Sequence, residues 1–438
     1  MATQVEAPPP HLRDVAEHPT DMGHGAPVTA VDPISSQNVT LAEILAYADA
    51  HSPSLRVARS ARARVEVSAA AASMLLPSNP QLQVAVGPRI GQAGTGVDLE
   101  IGLSQQVQIA GERGLRGDVA DRFAQRTDAE IEQSRWAVHC DVHAAFHGAL
   151  VERERLKLAR GVLGFQEEVL RVVERQIKAG ETAPLALRLA QAEVAQARQV
   201  LVASEQGFFA SKIRLAQLAG WPTARPPEPS GSVDEPRDAP AIAGLLAVAR
   251  DKLPSLRVGT AVLQEAEARL TLARREAWPK PSVGAQYRRE GNPTDEGAYQ
   301  IVLGVLSIPI PSFDTNQIEQ ASARAELSAA EAELEARRSL LEGQITEAHS
   351  ELVAAAQRTR AYGSEILPRF EENLTLLRRS FELGEIDILA LSVGRERFLR
   401  IQSDALNAQF DYFIAMATLE RAVGVDLWRD EHHEDSAP

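Results

Sequence analysis

His139, His143 and His147 recur every four residues, with Cys140 beside the first. Imidazole and thiolate are good ligands for zinc, copper or nickel. On a helix this spacing keeps the three rings on one face but spreads them over ~12 Å, so one ion meets at most two of them from a single chain. A structural or catalytic site takes three or four ligands. Interhelical packing or the lining of a tunnel is the plainer role for the row, and His139, His143 and His147 are only weak metal candidates. Asp98 and Glu100 form a second set, alternating with apolar neighbours so that both face water, and Glu385 and Asp387 a third, just after Gly384. Arg395, Glu396 and Arg397 read as solvated or intersubunit ion pairs, worth little each. The chain carries no nucleophile elbow, phosphate-binding glycine loop or His-Glu-x-x-His pair. No enzyme activity and no cofactor are therefore expected.

The elements that must position these residues are mostly long helices. Of 438 residues only 5% are aromatic while 24% are charged, and Ala, Leu, Glu and Arg dominate long stretches. A net charge of −14 argues against a nucleic-acid partner and leaves cationic, small-molecule or protein partners open. Cys140, the one cysteine, excludes an intrachain disulfide and any all-cysteine metal site. No apolar run reaches the ~18 residues of a membrane-spanning helix, so contact with a bilayer would have to use strands.

Residues 1–39, with Pro8, Pro9, Pro10, Gly23 and Gly25, show no periodicity and read as a disordered tail. They also lack the basic and apolar regions of a signal peptide, so export would require a misassigned start or a leader absent from the chain. Between this tail and a polar C-terminal tail at 426–438 the sequence repeats itself. Pro53-Ser54-Leu55-Arg56-Val57 recurs as Pro254-Ser255-Leu256-Arg257-Val258, and Pro80, Gly102, Gly180-Glu181 and Gly220 have counterparts in Pro281, Gly304, Gly384-Glu385 and Gly424. Two repeats, 40–220 and 240–425, are expected, joined by a proline-rich linker at 221–239.

Each repeat has the same predicted order. Thr40 with Glu43 opens a short helix as a capping box, and Asp238 with Pro240 opens its counterpart. Second helices run from Pro53 to about Leu75 and from Pro254 to about Ala277, stopping at Pro77/Pro80 and Pro279/Pro281. Period-two alternation then predicts strands at about 80–88 and 97–108, and again at about 281–289 and 299–310. Leu82, Val84, Val86 and Val97, Leu99, Ile101, Leu103 define an apolar face, which Val283, Ala285, Tyr287 and Tyr299, Ile301, Leu303, Val305 are expected to repeat. Arg113 to Lys178 contains no proline and as a helix would extend ~100 Å. Its counterpart from Thr315 to Leu383 holds Pro368, an expected kink. Return helices follow Gly180 and Gly384, closing each repeat as a pair of long antiparallel helices.

Four strands cannot close a barrel, which takes ~8 or more. A ~100 Å helix likewise needs neighbours of its own length to cover its apolar stripe. One ring of identical chains cures both shortages: the hairpins pool into a barrel and the helices into a tube beneath it.

The order helix, proline pair, hairpin, Gln105-Gln106-Val107-Gln108-Ile109-Ala110-Gly111-Glu112-Arg113, very long helix, Leu367-Pro368 and Gly384-Glu385-Ile386-Asp387-Ile388-Leu389 resembles the TolC-type outer-membrane efflux family, and within it the CzcC/CusC-like heavy-metal branch. The resemblance covers roughly residues 40 to 425. It implies a mainly α fold with a small β part, assembled as a homotrimer with a twelve-stranded barrel in outer-membrane lipid and an α-helical tunnel across the periplasm. It implies a periplasmic membrane-fusion adaptor and an inner-membrane pump of resistance-nodulation-division type as partners, with passive transport, of heavy-metal cations or other toxic small molecules, in this component. The family's adaptor-docking turns map to Ala179-Gly180-Glu181 and Leu383-Gly384-Glu385. Its acidic gate maps to Ala390 and Val393 and is not carried over, which leaves Glu385 and Asp387 as candidate tunnel-end acids; Asp98 and Glu100 would line the barrel interior. A protein-secretion exit duct of type I and, in another class, a soluble helical coiled-coil scaffold are the alternatives. The scaffold gains from the missing leader and loses from four alternating strands for which it has no use.

Overall fold

The computed structural model describes residues 38–76, 78–91, 94–180, 184–232, 235–291, 299–383 and 385–427. The first part of the chain comprises β1 (Asn38–Val39), α1 (Leu41–His51), α2 (Pro53–Ser60), α3 (Arg62–Ser73), β2 (Gln81–Gly91), β3 (Gly94–Gln106), α4 (Glu112–Lys178) and α5 (Pro184–Ala219). Then come β4 (Glu228–Pro229), α6 (Ile242–Lys252), α7 (Pro254–Arg275), β5 (Ser282–Glu290), β6 (Tyr299–Ser307), α8 (Gln317–Ala361), a π-helical turn at Tyr362–Ile366, α9 (Leu367–Glu382) and α10 (Ile388–Val423). The fold is mainly helical with a small sheet. Among the described residues no helix is long and apolar enough to cross a membrane.

Local chemistry explains most boundaries. Thr40 caps α1 as a full capping box: its Oγ1 accepts the Glu43 amide at 3.3 Å while Glu43 Oε2 accepts the Thr40 amide at 2.8 Å. The expected counterpart does not form. Ala241 is the N-cap of α6, and Asp238 instead pairs with Arg360 at 2.7 Å. The helix expected from Pro53 to Leu75 is two, because the amides of Ala61 and Arg64 bond three residues back and tighten the turn at Ala61. Upstream of Pro368, the Leu367 amide reaches five residues back to the Tyr362 carbonyl, so a π turn accommodates the proline.

Some residues of the tail expected at 1–39 and of the linker expected at 221–239 belong to the packed structure. Asn38–Val39 pairs in parallel with Glu228–Pro229, Val39 is fully buried, and Trp221 packs in the same core. That core joins β1, α1, α2, α4 and α5. A second core joins α6, α7, α8 and α10, with Val151 of α4 reaching into it. Residues 1–37 and 428–438, most of the two tails, lie outside the described residues.

β2, β3, β5 and β6 form one antiparallel sheet in that order, leaving β2 and β6 as its edges. Leu82, Val84 and Val86 stand opposite Leu103, Ile101 and Leu99, and Ile101 stands opposite Tyr287, so an apolar face runs across three strands. β6 departs from expectation. Tyr287 opposes Val302 and Val283 opposes Leu306, whereas Ile301 opposes Arg288 and Leu303 opposes Gln286. Tyr299, Ile301, Leu303 and Val305 therefore lie on the polar face, and Val302, Gly304 and Leu306 on the apolar one. Both faces of β6 are apolar, so alternation alone could not fix its phase. The apolar face is open: Val84 is 59%, Val86 70% and Val302 77% exposed.

Candidate functional site

On the polar face of the sheet, Asp98 and Glu100 point the same way but neither is a free acid. Arg89 donates to Asp98 at 3.0 Å and pairs with Glu290 at 2.8 Å, and the Gly291 amide donates to the second Asp98 oxygen at 3.0 Å. Arg288 grips Glu100 Oε2 through Nε at 3.2 Å and Nη2 at 2.9 Å, while Gln286 donates to Oε1. Cross-strand register makes this possible, since Glu100 directly opposes Arg288. The face is a network of paired charges, three acids against two arginines, rather than a strip of free acids.

α4 and α10 enclose the histidine row. His143 and Glu420 are buried and share a hydrogen bond of 2.9 Å between Nδ1 and Oε2, and Glu420 Oε1 accepts the Leu427 amide at 3.2 Å. His147 donates Nδ1–H to the His143 carbonyl at 3.1 Å and stacks on Phe413 at 4.2 Å. His139 stacks on Trp136 at 4.9 Å with Asp426 at 4.0 Å from its Nε2. Burial holds the His147 imidazole down at about 4, with His143 adding to the effect. His139 is also held down at about 4 by burial, against the opposing pull of Asp426. Burial pushes the Cys140 thiol up to about 12, which makes it a small apolar side chain rather than a thiolate. Among the described residues no group of three or more His, Cys, Asp or Glu side chains is arranged to hold a metal ion. The row is a polar layer between α4 and the C-terminal helix. The sequence reading missed Glu420, although an acid on the buried stripe of Phe413, Met416 and Val423 is itself a signal.

At the far end of the long helices, Gly180 adopts a left-handed φ of 76° and its amide bonds Ile177 at 3.0 Å, closing α4. Ala179 and Gly180 are exposed, and Leu383 is 66% exposed. The Glu385 amide bonds the Ser380 carbonyl at 2.9 Å. Asp387 has a structural duty, since its Oδ1 accepts the Ala390 amide at 2.9 Å and caps α10. Both acids are exposed. Glu181 and Gly384, the other members of the two turns, lie outside the described residues. Above the second turn, Arg395 of α10 lies over the Phe165 ring of α4 at 3.5 Å, a contact absent from the sequence reading. Burial, with Arg378 nearby, holds its guanidinium down at about 10.

Comparison with known proteins bears on this geometry. A family model described as outer membrane efflux protein matches residues 44–221 and 245–425. The cobalt-zinc-cadmium resistance protein CzcC of Cupriavidus metallidurans is 24% identical over 320 residues, 73% of this chain and 75% of the relative. The pyoverdine export outer membrane protein OpmQ of Pseudomonas putida is 21% identical over 353 residues, 79% of this chain and 73% of the relative. The solved structure of CusC, described in terms of folding and transmembrane channel formation, superposes with a TM-score of 0.67 at 15% identity, covering 91% of this chain and 96% of that one.

Proposed function

This chain belongs to the outer membrane efflux protein family, whose members are passive channels rather than enzymes, and from that membership we propose that it is the outer-membrane exit duct of a tripartite efflux system. One observation carries the proposal: a four-stranded sheet with an open apolar face and two unpaired edges, set on helices of up to 67 residues. Two repeats, 40–220 and 240–425, build one protomer. Three copies supply twelve strands, which closes a barrel with its apolar face toward lipid and its polar face toward the lumen. The long helices then form the periplasmic tunnel, and a membrane-fusion adaptor meets its end at the turns around Gly180 and Glu385. Energy comes from an inner-membrane pump.

Heavy-metal cations are the cargo we favour, on the likeness to a cobalt-zinc-cadmium resistance protein. The likeness to a pyoverdine export protein supports an organic cargo as the second reading. The Arg89, Asp98, Glu100, Arg288 and Glu290 network keeps one net negative charge per chain, which would tolerate cations without selecting among cargoes, so the pump would select the cargo. Mass measurement in detergent together with conductance across a lipid bilayer tests the duct; a solitary chain that conducts nothing refutes it. Growth of a deletion strain on cobalt, zinc and cadmium, set beside growth on organic toxicants, tests the cargo. Metal tolerance equal to the parent's removes the heavy-metal assignment.

A further inference from the structure

α4, α6, α7 and α8 meet around an open cleft of about 340 Å³. Arg250 of α6, Arg257 of α7 and Arg338 of α8 line it, and Asp251 is the one acid of the lining. Among the described residues none of the three guanidiniums has a carboxylate within ion-pairing distance or a hydrogen-bond partner. Gln125 and Gln264 bring two amides to the wall, beside Thr260 and the apolar Ala129, Leu256 and Ala261. Arg122 fixes their orientation from the rim, donating to Gln125 Oε1 and to Gln264 Oε1 at 2.9 Å each. With both carboxamide oxygens engaged, each amide keeps its NH2 group as its free polar end. The cleft thus presents three guanidiniums and two amide NH2 groups against one acid and a partly apolar wall, in a chain whose net charge is −14.

A guanidinium offers a planar fork that matches carboxylate and phosphate oxygens two at a time. Three forks from three helices, with amide donors between them, suit a ligand with several anionic groups. The volume lies near the small end of ligand sites, about 300–1,000 Å³. We propose that this cleft binds a small polyanion carrying two or more carboxylate or phosphate groups. In the single chain the cleft is open to solvent, so entry there needs no rearrangement, and the chemistry of its lining is independent of the channel function.

Isothermal titration of the full chain purified in detergent tests it, with inorganic pyrophosphate and tricarballylate as separate probes at low and at physiological ionic strength. Saturable binding of one ligand per chain is expected, and the tighter probe identifies the preferred anionic group. Arg257→Glu and Arg338→Glu should each weaken it about tenfold or more. Gln264→Glu, of equal size but with acceptors in place of donors, should weaken it without touching an arginine. Arg274→Glu, on α7 but outside the cleft lining, should bind as the parent does. Absence of saturable binding by either probe, or parental affinity in both arginine variants, overturns the proposal.

Discussion

A carboxylate with no exposed surface needs donors, and Glu420 has two, His143 and the Leu427 amide. Removing one partner of such a buried pair strands the other, which costs about 3 kcal/mol or more. His143→Ala should therefore lower the denaturant midpoint sharply, and His143→Leu with Glu420→Leu should recover much of the loss in a double-mutant cycle. The neighbouring histidines respond to pH in a definite direction. His139 and His147 sit at about 4 in the folded chain against an ordinary 6.5, so folding favours their neutral forms. Their stabilisation is complete above 6.5 and is lost as pH falls from there through about 4. Below that window the loss for His147 alone approaches ~3 kcal/mol. Thermal melts between pH 7 and pH 4 should show a fall that His147→Phe, which stays on the Phe413 ring, reduces; an unchanged slope in that variant would sink the assignment.

Glycine shows how an element can be legible while its reason is not. Gly180, Gly220 and Gly424 stand out in the sequence as helix ends, and all three adopt positive φ. Only the structure separates them. A side chain at Gly180 meets open space, whereas one at Gly220 would collide with the His51 carbonyl and one at Gly424 with the Leu253 backbone. Gly180→Ala should cost about 1 kcal/mol, the ordinary penalty of a left-handed residue. Gly220→Ala should cost well over that and destabilise the packing of α1 against α5, as read by urea denaturation. The same contrast runs through the other elements. Prolines mark the hairpins and the capping box marks α1, because those constraints act within a few residues. The phase of β6 was hidden, since Ile301, Val302, Leu303, Val305 and Leu306 are apolar on both faces. The pairing of His143 with Glu420 was hidden too, because the two stand 277 positions apart. Asp98 and Glu100 were visible as water-facing acids, but Arg89 and Arg288 became their partners only once the register was known.

At the scale of the whole molecule, the open apolar face is the feature a single chain leaves unresolved. Val302→Arg places a charge at a position 77% exposed on that face. In a lipid-facing barrel wall such a charge costs on the order of 2–4 kcal/mol near the bilayer centre. The variant should keep its helical circular dichroism but lose detergent-stable oligomers and bilayer conductance; parental conductance would show that this face does not meet lipid. The π turn at Tyr362–Ile366 acts over a comparable range. One surplus residue in a helix advances every later side chain about 100° around the axis. Above it, α8 packs on α6, α7 and α10; below it, α9 packs chiefly on α10. The rod changes its company without being cut, as if a screw had been given a fraction of a twist halfway along. Deleting Gly363 would undo that twist, swinging Phe370 and Leu377 to new azimuths while leaving the upper shaft as it was.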